Sequence, residues 1–281
     1  MKLDLIISEH TLCTVFGREI TIYGVLYLCG IFLAALCAMR CAVRRGVDRW
    51  EVVYSGVFAV IGGLIGAKVL SWLTTLPIII PYLQNGGSFF EVIRSGFVFY
   101  GGLLGGAGGL YLYTRIYKYS YFDYADLFAP GVAIGHALGR IGCLFGGCCY
   151  GKEVDAAFPL TVRYAYGDPA YAVGVRAGRY YLPTQLLEAL ALILIFFAAM
   201  AVFRRGRRGE ATVVYALSYP VVRFVLEFFR ADEDRGYLGP LSTSQWISIA
   251  IFLCGIVGSV LLQRRKSRPE TKEAPDEKEM N

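Results

Sequence analysis

Seven apolar runs, each about as long as a membrane-spanning helix, constrain this chain more than any other feature. They cover residues 20–43, 52–74, 96–115, 125–146, 183–203, 211–229 and 245–263. Only 18% of the residues are charged, whereas a soluble domain carries about 25%. We therefore expect an all-α polytopic membrane protein with about seven transmembrane helices. Residues 1–263 would form one membrane domain, with a small external cap at about 147–182 and a disordered cytoplasmic tail at 264–281.

Basic residues are distributed unequally among the segments that connect these runs. One set of connections is rich in them: Arg44, Arg45 and Arg49; Arg115 and Lys118; Arg204, Arg205, Arg207 and Arg208; and Arg264, Arg265, Lys266 and Arg268. The other set is sparse or mixed. Because basic loops stay in the cytoplasm, the pattern predicts an external N-terminus and a cytoplasmic C-terminus. The net charge of +6 follows this topology, and no basic stripe indicates nucleic-acid binding. The polar residues before the first run argue against a cleavable signal peptide.

Some charged side chains lie well inside the apolar runs. Tyr219, Arg223, Glu227 and Arg230 occur at helical spacing, so one helix face would carry all four. Arg140 lies in another run. A charge within a membrane costs at least a few kcal/mol, about 2.5–3.5 on insertion scales, so it normally faces a cavity and has a function. Two such arginines predict a bound anion, and a lipid phosphate is the commonest one there. The alternative is that Arg140 pairs with Glu188 or Glu227 only to hold helices together.

Glycines at four-residue spacing predict close packing of two helices. One run contains Gly62 and Gly66, and another contains Gly101, Gly105 and Gly109. Gly101 and Gly102 follow Tyr100 near the outer end of their run. The missing side chains at that point could also admit a lipid or a peptide backbone.

Several motifs, taken in chain order, resemble those of the bacterial prolipoprotein diacylglyceryl transferases. They are Tyr23-Gly24, Gly62-Gly63 with Lys68, Tyr100-Gly101-Gly102-Leu103, Gly139-Arg140-Ile141-Gly142 through to Tyr150-Gly151, Pro183-Thr184-Gln185 with Glu188, and Tyr219 through Arg223 to Glu227-Phe228-Phe229-Arg230. The resemblance extends from the first run to Gln245-Trp246 and so covers nearly the whole chain.

The resemblance implies transfer of the diacylglyceryl group of phosphatidylglycerol to the cysteine thiol of a lipoprotein signal peptide. The product is a thioether, and the leaving group is glycerol 1-phosphate. The implied catalytic residues are Arg140, Arg223, Tyr100 and Glu227. The implied substrate-binding residues are Tyr23, Gly101, Gly102, Cys143, Gly151, Gln185, Glu188, Tyr219 and Arg230. We expect no cofactor and no metal. The expected partners are phosphatidylglycerol, prolipoprotein signal peptides and the lipids of the bacterial plasma membrane.

Three positions depart from the family pattern. Tyr100 stands where the family often has His, Cys143 where it often has Asn, and Cys148 where it often has Glu. A tyrosine hydroxyl ordinarily titrates near pH 10 and is a poor base at neutral pH, so the catalytic base remains open. We expect His136 to be a neutral side chain that is hydrogen-bonded between helices.

Cys143, Cys148 and Cys149 cluster near the predicted outer surface. We expect them to be structural, since the nucleophile of the implied reaction belongs to the substrate. A disulfide from Cys143 to either neighbour, and a thiol-carrier or redox role, are the alternatives. A zinc site would need a fourth ligand and a paired spacing that the sequence does not contain.

Two other functions fit the same sequence. One is a related membrane lipid transferase with a different acceptor, and the other is a lipid-binding or transport protein without chemistry. The polar residues cluster at one depth and do not form a path across the membrane, which favours the enzyme.

Overall fold

The computed structural model describes residues 3–7, 11–94, 96, 98–165, 178–231 and 237–266. Most of them are helical. The helices are α1 (Ile22–Arg45), α2 (Arg49–Gln84), α3 (Phe89–Arg94), α4 (Phe99–Ile116), α5 (Tyr121–Phe145), α6 (Thr184–Arg204), α7 (Glu210–Glu227) and α8 (Thr243–Lys266). The last helix includes residues 264–266 of the expected tail. Residues 267–281 and the cap residues 166–177 lie outside the described residues.

Five helices are long and apolar enough to cross a membrane, namely α1, α2, α5, α6 and α8. The two remaining predicted runs coincide with α4 and α7, which have 18 residues each. Glycine dilutes the apolar character of α4, and α7 contains Glu210, Arg223 and Glu227. The helical, multi-span architecture is therefore confirmed for five helices, and the crossings by α4 and α7 stay predictions.

Helix α2 is longer than its apolar run predicted. It has 36 residues and continues through Pro77 and Pro81 to Gln84, whereas the sequence placed a connection at 75–95. An interior proline removes one backbone hydrogen bond and strains the helix. The helix nevertheless continues past both prolines, through a stretch of mostly apolar residues. The rest of the expected connection contains the short helix α3.

The glycines that the sequence assigned to packing lie where α2 contacts α4. A Cβ atom at Gly105 would lie 2.9 Å from the Gly66 Cα and 3.0 Å from the Gly62 carbonyl carbon. Helices α1 and α5 approach in the same way, since a Cβ at Gly131 would lie 2.6 Å from the Ala34 carbonyl oxygen. Both contacts need a residue without a side chain, so the predicted close packing is confirmed.

Three two-stranded sheets accompany the helices in the described part of the chain, and the all-α prediction did not include them. Strand β1 (Leu3–Ile7) pairs in parallel with β4 (Leu160–Tyr164). Strands β2 (Thr11–Val15) and β3 (Arg18–Thr21) form a hairpin, and β5 (Tyr237–Leu238) pairs with β6 (Leu241–Ser242). Most of these strands lie in connections before or between apolar runs, where helical periodicity carries no information.

The pairing of β1 with β4 joins the N-terminal segment to the predicted cap. Arg163 donates a hydrogen bond of 2.6 Å to Asp4, which raises the pKa of the arginine, and Thr161 donates to the same carboxylate at 3.0 Å. A separate small apolar cluster lies beneath, made of Ile7, Leu144, Tyr150, Val162, Tyr164 and Tyr181. The described residues of the predicted cap therefore pack on the end of α5.

The close contact of α2 with α4 predicts the effect of an added methyl group. Gly105→Ala should lower the free energy of unfolding by about 1–3 kcal/mol, because its Cβ would overlap with the α2 backbone. Gly108→Ala on the same helix is the control, since a Cβ there meets nothing within 4 Å. Unfolding of the purified variants in detergent measures both. Equal effects at the two positions would contradict the packing account.

Candidate active site

Arg140 joins three helices through a buried carboxylate. It lies near the C-terminal end of α5, and its Nε is 3.1 Å from Oε1 of Glu188 on α6. The hydroxyl of Tyr219, on α7, donates to the same oxygen at 3.1 Å. Glu188 is 2% exposed and Tyr219 is 1% exposed, so this contact is shielded from water. Of the two partners that the sequence allowed for Arg140, the structure selects Glu188.

His136 lies one helical turn from Arg140 and extends this cluster. The Arg140 Nε also lies 3.3 Å from the His136 Nε2, and His136 Nδ1 lies 3.3 Å from the Tyr215 hydroxyl on α7. Because Nε2 accepts from a guanidinium, the imidazole is neutral. The ring also packs edge-on against Tyr219, with 4.8 Å between centroids. The expected position of His136 between helices is confirmed.

Arg223 makes a second buried ion pair in the same region. Its Nη2 is 2.8 Å from Oε2 of Glu227, one turn further along α7, and donates to Ser244 Oγ of α8 at 3.2 Å. Its Nη1 is buried and has no hydrogen-bond partner among the residues that the structure describes. Arg223 lies one turn from Tyr219 on α7, and Tyr219 contacts the carboxylate that pairs with Arg140, so the two guanidinium groups belong to one cluster.

Tyr100 reaches this cluster from the first turn of α4. Its hydroxyl lies 3.3 Å from Ser248 Oγ and 3.5 Å from the Ser244 carbonyl oxygen, both on α8. Ser244 therefore contacts both Tyr100 and Arg223. These two serines were not among the residues predicted from the sequence, although small polar residues four apart in an apolar run are a usable signal.

The segment after α5 is held against α6 and the end of α7. Gln185 donates from Nε2 to the Cys148 carbonyl oxygen at 2.7 Å and to the Tyr164 hydroxyl at 3.2 Å. Gly151 pairs with Arg230 in an isolated bridge, and its N–H donates to the Leu182 carbonyl oxygen at 2.9 Å. These residues frame the end of the cluster.

The residues that match a known protein family include nearly all of those that make these contacts. The family model described as prolipoprotein diacylglyceryl transferase matches residues 10–261. The chain belongs to the prolipoprotein diacylglyceryl transferase family. The resemblance found in the sequence motifs is therefore confirmed.

Several bacterial relatives in this family are similar over most of their length. Phosphatidylglycerol–prolipoprotein diacylglyceryl transferase 2 of Clostridium perfringens is 33% identical over 268 residues, which cover 92% of this chain and 97% of the relative. The phosphatidylglycerol–prolipoprotein diacylglyceryl transferase of Clostridium tetani is 30% identical over 249 residues, covering 88% and 95%. That of Geobacter sulfurreducens is 33% identical over 258 residues, covering 88% and 92%.

In this member of the prolipoprotein diacylglyceryl transferase family, three expected substrate residues lie apart from the ion pairs. Tyr23 is 41% exposed near the start of α1, and a Cβ at Gly142 would lie 3.1 Å from its ring. Gly101 faces α2, because a Cβ there would lie 2.7 Å from the Leu70 Cβ. A Cβ at Gly102 would have ordinary contact with Ala67 at 3.7 Å. Helix packing thus accounts for the glycine at position 101.

The three clustered cysteines of this family member come together at the end of α5. Their sulfur atoms, in Cys143, Cys148 and Cys149, all lie within 4.8 Å of one another, and the three thiols are free. Cys143 was the only one of the three that the resemblance placed among the substrate-binding residues. The structure therefore adds Cys148 and Cys149 to the same place.

Proposed function

We infer that this chain is a phosphatidylglycerol–prolipoprotein diacylglyceryl transferase. The observation that carries this inference is the family match over residues 10–261, together with two buried arginine–carboxylate pairs in one cluster. The substrates follow from the names of the relatives. The reaction forms a bond from the signal-peptide cysteine sulfur to a glyceryl carbon. The bond from that carbon to the phosphate oxygen breaks, and glycerol 1-phosphate leaves.

We propose that Arg140 and Arg223 hold the phosphate of the lipid. Arg140 contacts its described neighbours through Nε, which leaves its Nη groups for a ligand. Arg223 contributes the buried Nη1, whose lack of a partner is costly in an apolar medium. A guanidinium suits bidentate binding of phosphate, and negative charge grows on the leaving oxygen as the ester bond breaks. Glu188 and Glu227 orient the two arginines and keep the cluster near neutrality before the lipid binds.

The remaining expected residues have supporting roles in this proposal. Tyr100 orients the lipid by a hydrogen bond from its hydroxyl. Tyr219 holds Glu188, and Glu227 or the phosphate accepts a proton. Gln185, Gly151 and Arg230 frame the end of the site, and Tyr23, Gly102 and Cys143 line the approach of lipid or peptide.

We also propose that α4 and α7 cross the membrane with the five apolar helices. Polar side chains of α7 contact neighbouring helices and so need not contact lipid. Tyr219 contacts Glu188, Arg223 contacts Ser244, and Tyr215 contacts His136. Basic residues at alternate connections favour an external N-terminus and a cytoplasmic C-terminus. The arginine cluster would then lie in the outer half of the membrane.

The phosphate-binding role predicts that the arginines cannot be replaced by lysine. Arg140→Lys and Arg223→Lys should each reduce transfer by about 10–100-fold, because one or two charge-assisted hydrogen bonds of roughly 1.5–3 kcal/mol are lost. The assay uses purified protein, phosphatidylglycerol and a lipobox peptide. Arg208→Lys is the control, since its side chain is 68% exposed and pairs with Asp123. Turnover near wild type in both variants would favour a purely structural tie between helices.

The proposed orientation is tested by reporters in two connections. A reporter within 204–210 should be cytoplasmic, because this connection contains four arginines. One within 160–170 should be external. Reversal at both sites would place the arginine cluster on the wrong leaflet.

The orienting role of Tyr100 predicts a modest cost for the loss of its hydroxyl. Tyr100→Phe removes one hydrogen bond of about 0.5–1.5 kcal/mol and should slow transfer roughly 2- to 12-fold. Tyr111→Phe, at an exposed position of the same helix, is the matched control. A collapse by about 100-fold or more, with loss of the basic limb of the pH profile, would instead make Tyr100 the general base.

A further inference from the structure

The cysteine cluster has the dimensions of a thiolate metal site. Cys143 lies in the last turn of α5, and Cys148 and Cys149 follow in the adjoining loop. Their sulfur atoms lie within 4.8 Å of one another. Zinc–sulfur bonds of about 2.3 Å in a tetrahedron place the sulfurs about 3.8 Å apart. Side-chain rotations that bring the sulfur atoms about 1 Å closer together would therefore let all three bind one ion.

The backbone of this loop is fixed independently of the thiols. Thr184 donates from Oγ1 to the Cys149 carbonyl oxygen at 2.9 Å, and Gln185 donates to the Cys148 carbonyl oxygen at 2.7 Å. The Cys148 N–H donates to the Cys143 carbonyl oxygen at 3.2 Å. Cys149 adopts φ of 62°, a left-handed conformation that is uncommon for a residue other than glycine. Such strain is typical of functional sites, where the surrounding contacts hold it in place.

Three protein ligands with an open fourth position are the pattern of a catalytic zinc ion. Among the described residues, the group of potential ligands consists of these three cysteines without a fourth member. The reaction inferred above supplies a candidate for the fourth ligand, because its nucleophile is the cysteine thiol of the peptide substrate. We propose that Cys143, Cys148 and Cys149 bind a zinc ion whose fourth ligand is the lipobox cysteine of the prolipoprotein. This proposal rests on the transferase function and specifies how its nucleophile is activated.

Zinc coordination would supply what this sequence lacks relative to its family. Tyr100 stands in place of the usual histidine, and a thiol that coordinates zinc is deprotonated without a strong base. The thiol proton would leave to water as the peptide binds, and the phosphate oxygen freed by the broken ester bond can take up one proton in return. The peptide sulfur would then form the carbon–sulfur bond while the carbon–oxygen bond to phosphate breaks. Zinc stays divalent throughout, and the neutral thioether is a weak ligand that can leave.

The position and charge of the cluster fit this role. Cys143 lies three residues after Arg140, so the two side chains are neighbours on one face of α5, about 5–6 Å apart at their Cβ atoms. Arg230 lies close to the cluster, because its backbone pairs with Gly151, two residues after Cys149. Zinc with four thiolates would carry a charge of about −2, from one divalent ion and four anions. Arg230 would offset part of it, since Arg140 already pairs with Glu188. The thiolate would thus be held beside the arginine that holds the lipid phosphate.

This inference replaces two predictions from the sequence, namely that the three cysteines are only structural and that the chain binds no metal. The prediction of no zinc site assumed that all four ligands come from the chain. It did not consider that the substrate could provide the fourth one.

Metal analysis of the full-length protein, purified in detergent with a thiol reductant, tests the site directly. We expect about one zinc per chain in the wild type. Cys143→Ser, Cys148→Ser and Cys149→Ser should each lower this to below about one tenth. Cys254→Ser, at an exposed position on α8, is the control and should retain zinc. Copper in place of zinc, a disulfide among the three cysteines, or full zinc content in the serine variants would overturn the proposal.

Cobalt substitution tests the open coordination position. The cobalt-loaded protein should show sulfur-to-cobalt charge-transfer absorption that increases when a lipobox peptide is added. A peptide with serine in place of the cysteine should leave the spectrum unchanged. An unchanged spectrum with the cysteine peptide would contradict coordination of the substrate.

Removal of zinc separates this proposal from the transferase function. Treatment of the wild type with a chelator should reduce transfer at pH 7 by about 30-fold, because a free thiol with pKa near 8.5 is only about 3% thiolate there. Added zinc should restore the rate, which also excludes unfolding as the cause. Full transfer without zinc would retain the function and refute the site. A cobalt spectrum that responds to the peptide, without any transfer, would retain the site and refute the function.

Discussion

The buried ion pair between Arg140 and Glu188 is the interaction on which the rest of the site depends. In an apolar medium a lone guanidinium or carboxylate is very costly, so each charge fixes the position of the other. Glu188 comes from α6, and it also accepts a hydrogen bond from Tyr219 of α7. One contact thus sets the relative positions of α5, α6 and α7. Arg223 and Glu227 repeat this arrangement along α7, next to Ser244 of α8.

Close helix packing brings the remaining residue to this cluster. The glycines of α2 and α4 allow the two backbones to touch, and Tyr100 lies in the first turn of α4, next to the contact of Gly101 with α2. Its hydroxyl reaches Ser248 of α8 from there. The glycine-rich character that makes α4 weakly apolar is therefore also what allows its close approach to α2. In a membrane protein the lower apolar character of such a helix is tolerated, because small residues allow closer packing between helices.

Helical periodicity and charge in apolar runs predicted the centre of the site from the sequence. Tyr219, Arg223 and Glu227 lie on one face of α7 and form one buried set with Glu188 and Arg140. The prediction that Arg230 shares this helix face was wrong, because α7 ends at Glu227 and the backbone of Arg230 pairs with Gly151. The burial of these side chains follows from the cost of a charge in an apolar medium, and their role at an active site stays a prediction.

Other features could not be read from the sequence, for separate physical reasons. Serine hydroxyls in α8 cost little in a helix and so gave only a weak signal. The parallel pairing of β1 with β4 joins residues 157 positions apart at Asp4 and Thr161, a distance along the chain that local patterns do not report. The length of α2 was underestimated because Pro77 and Pro81 usually end a helix. The convergence of three sulfur atoms depends on the left-handed backbone at Cys149, which residue spacing alone does not specify.

The central claim is that the arginine cluster serves the transfer of a diacylglyceryl group from phosphatidylglycerol to a peptide thiol. The most direct measurement is a reaction of the purified wild-type protein with phosphatidylglycerol and a lipobox peptide, followed by mass spectrometry of both products. The account predicts a peptide that has gained one diacylglyceryl group on its cysteine, and an equal amount of released glycerol phosphate. A peptide that remains unmodified while the protein binds the lipid would contradict it, as would lipidation without release of glycerol phosphate.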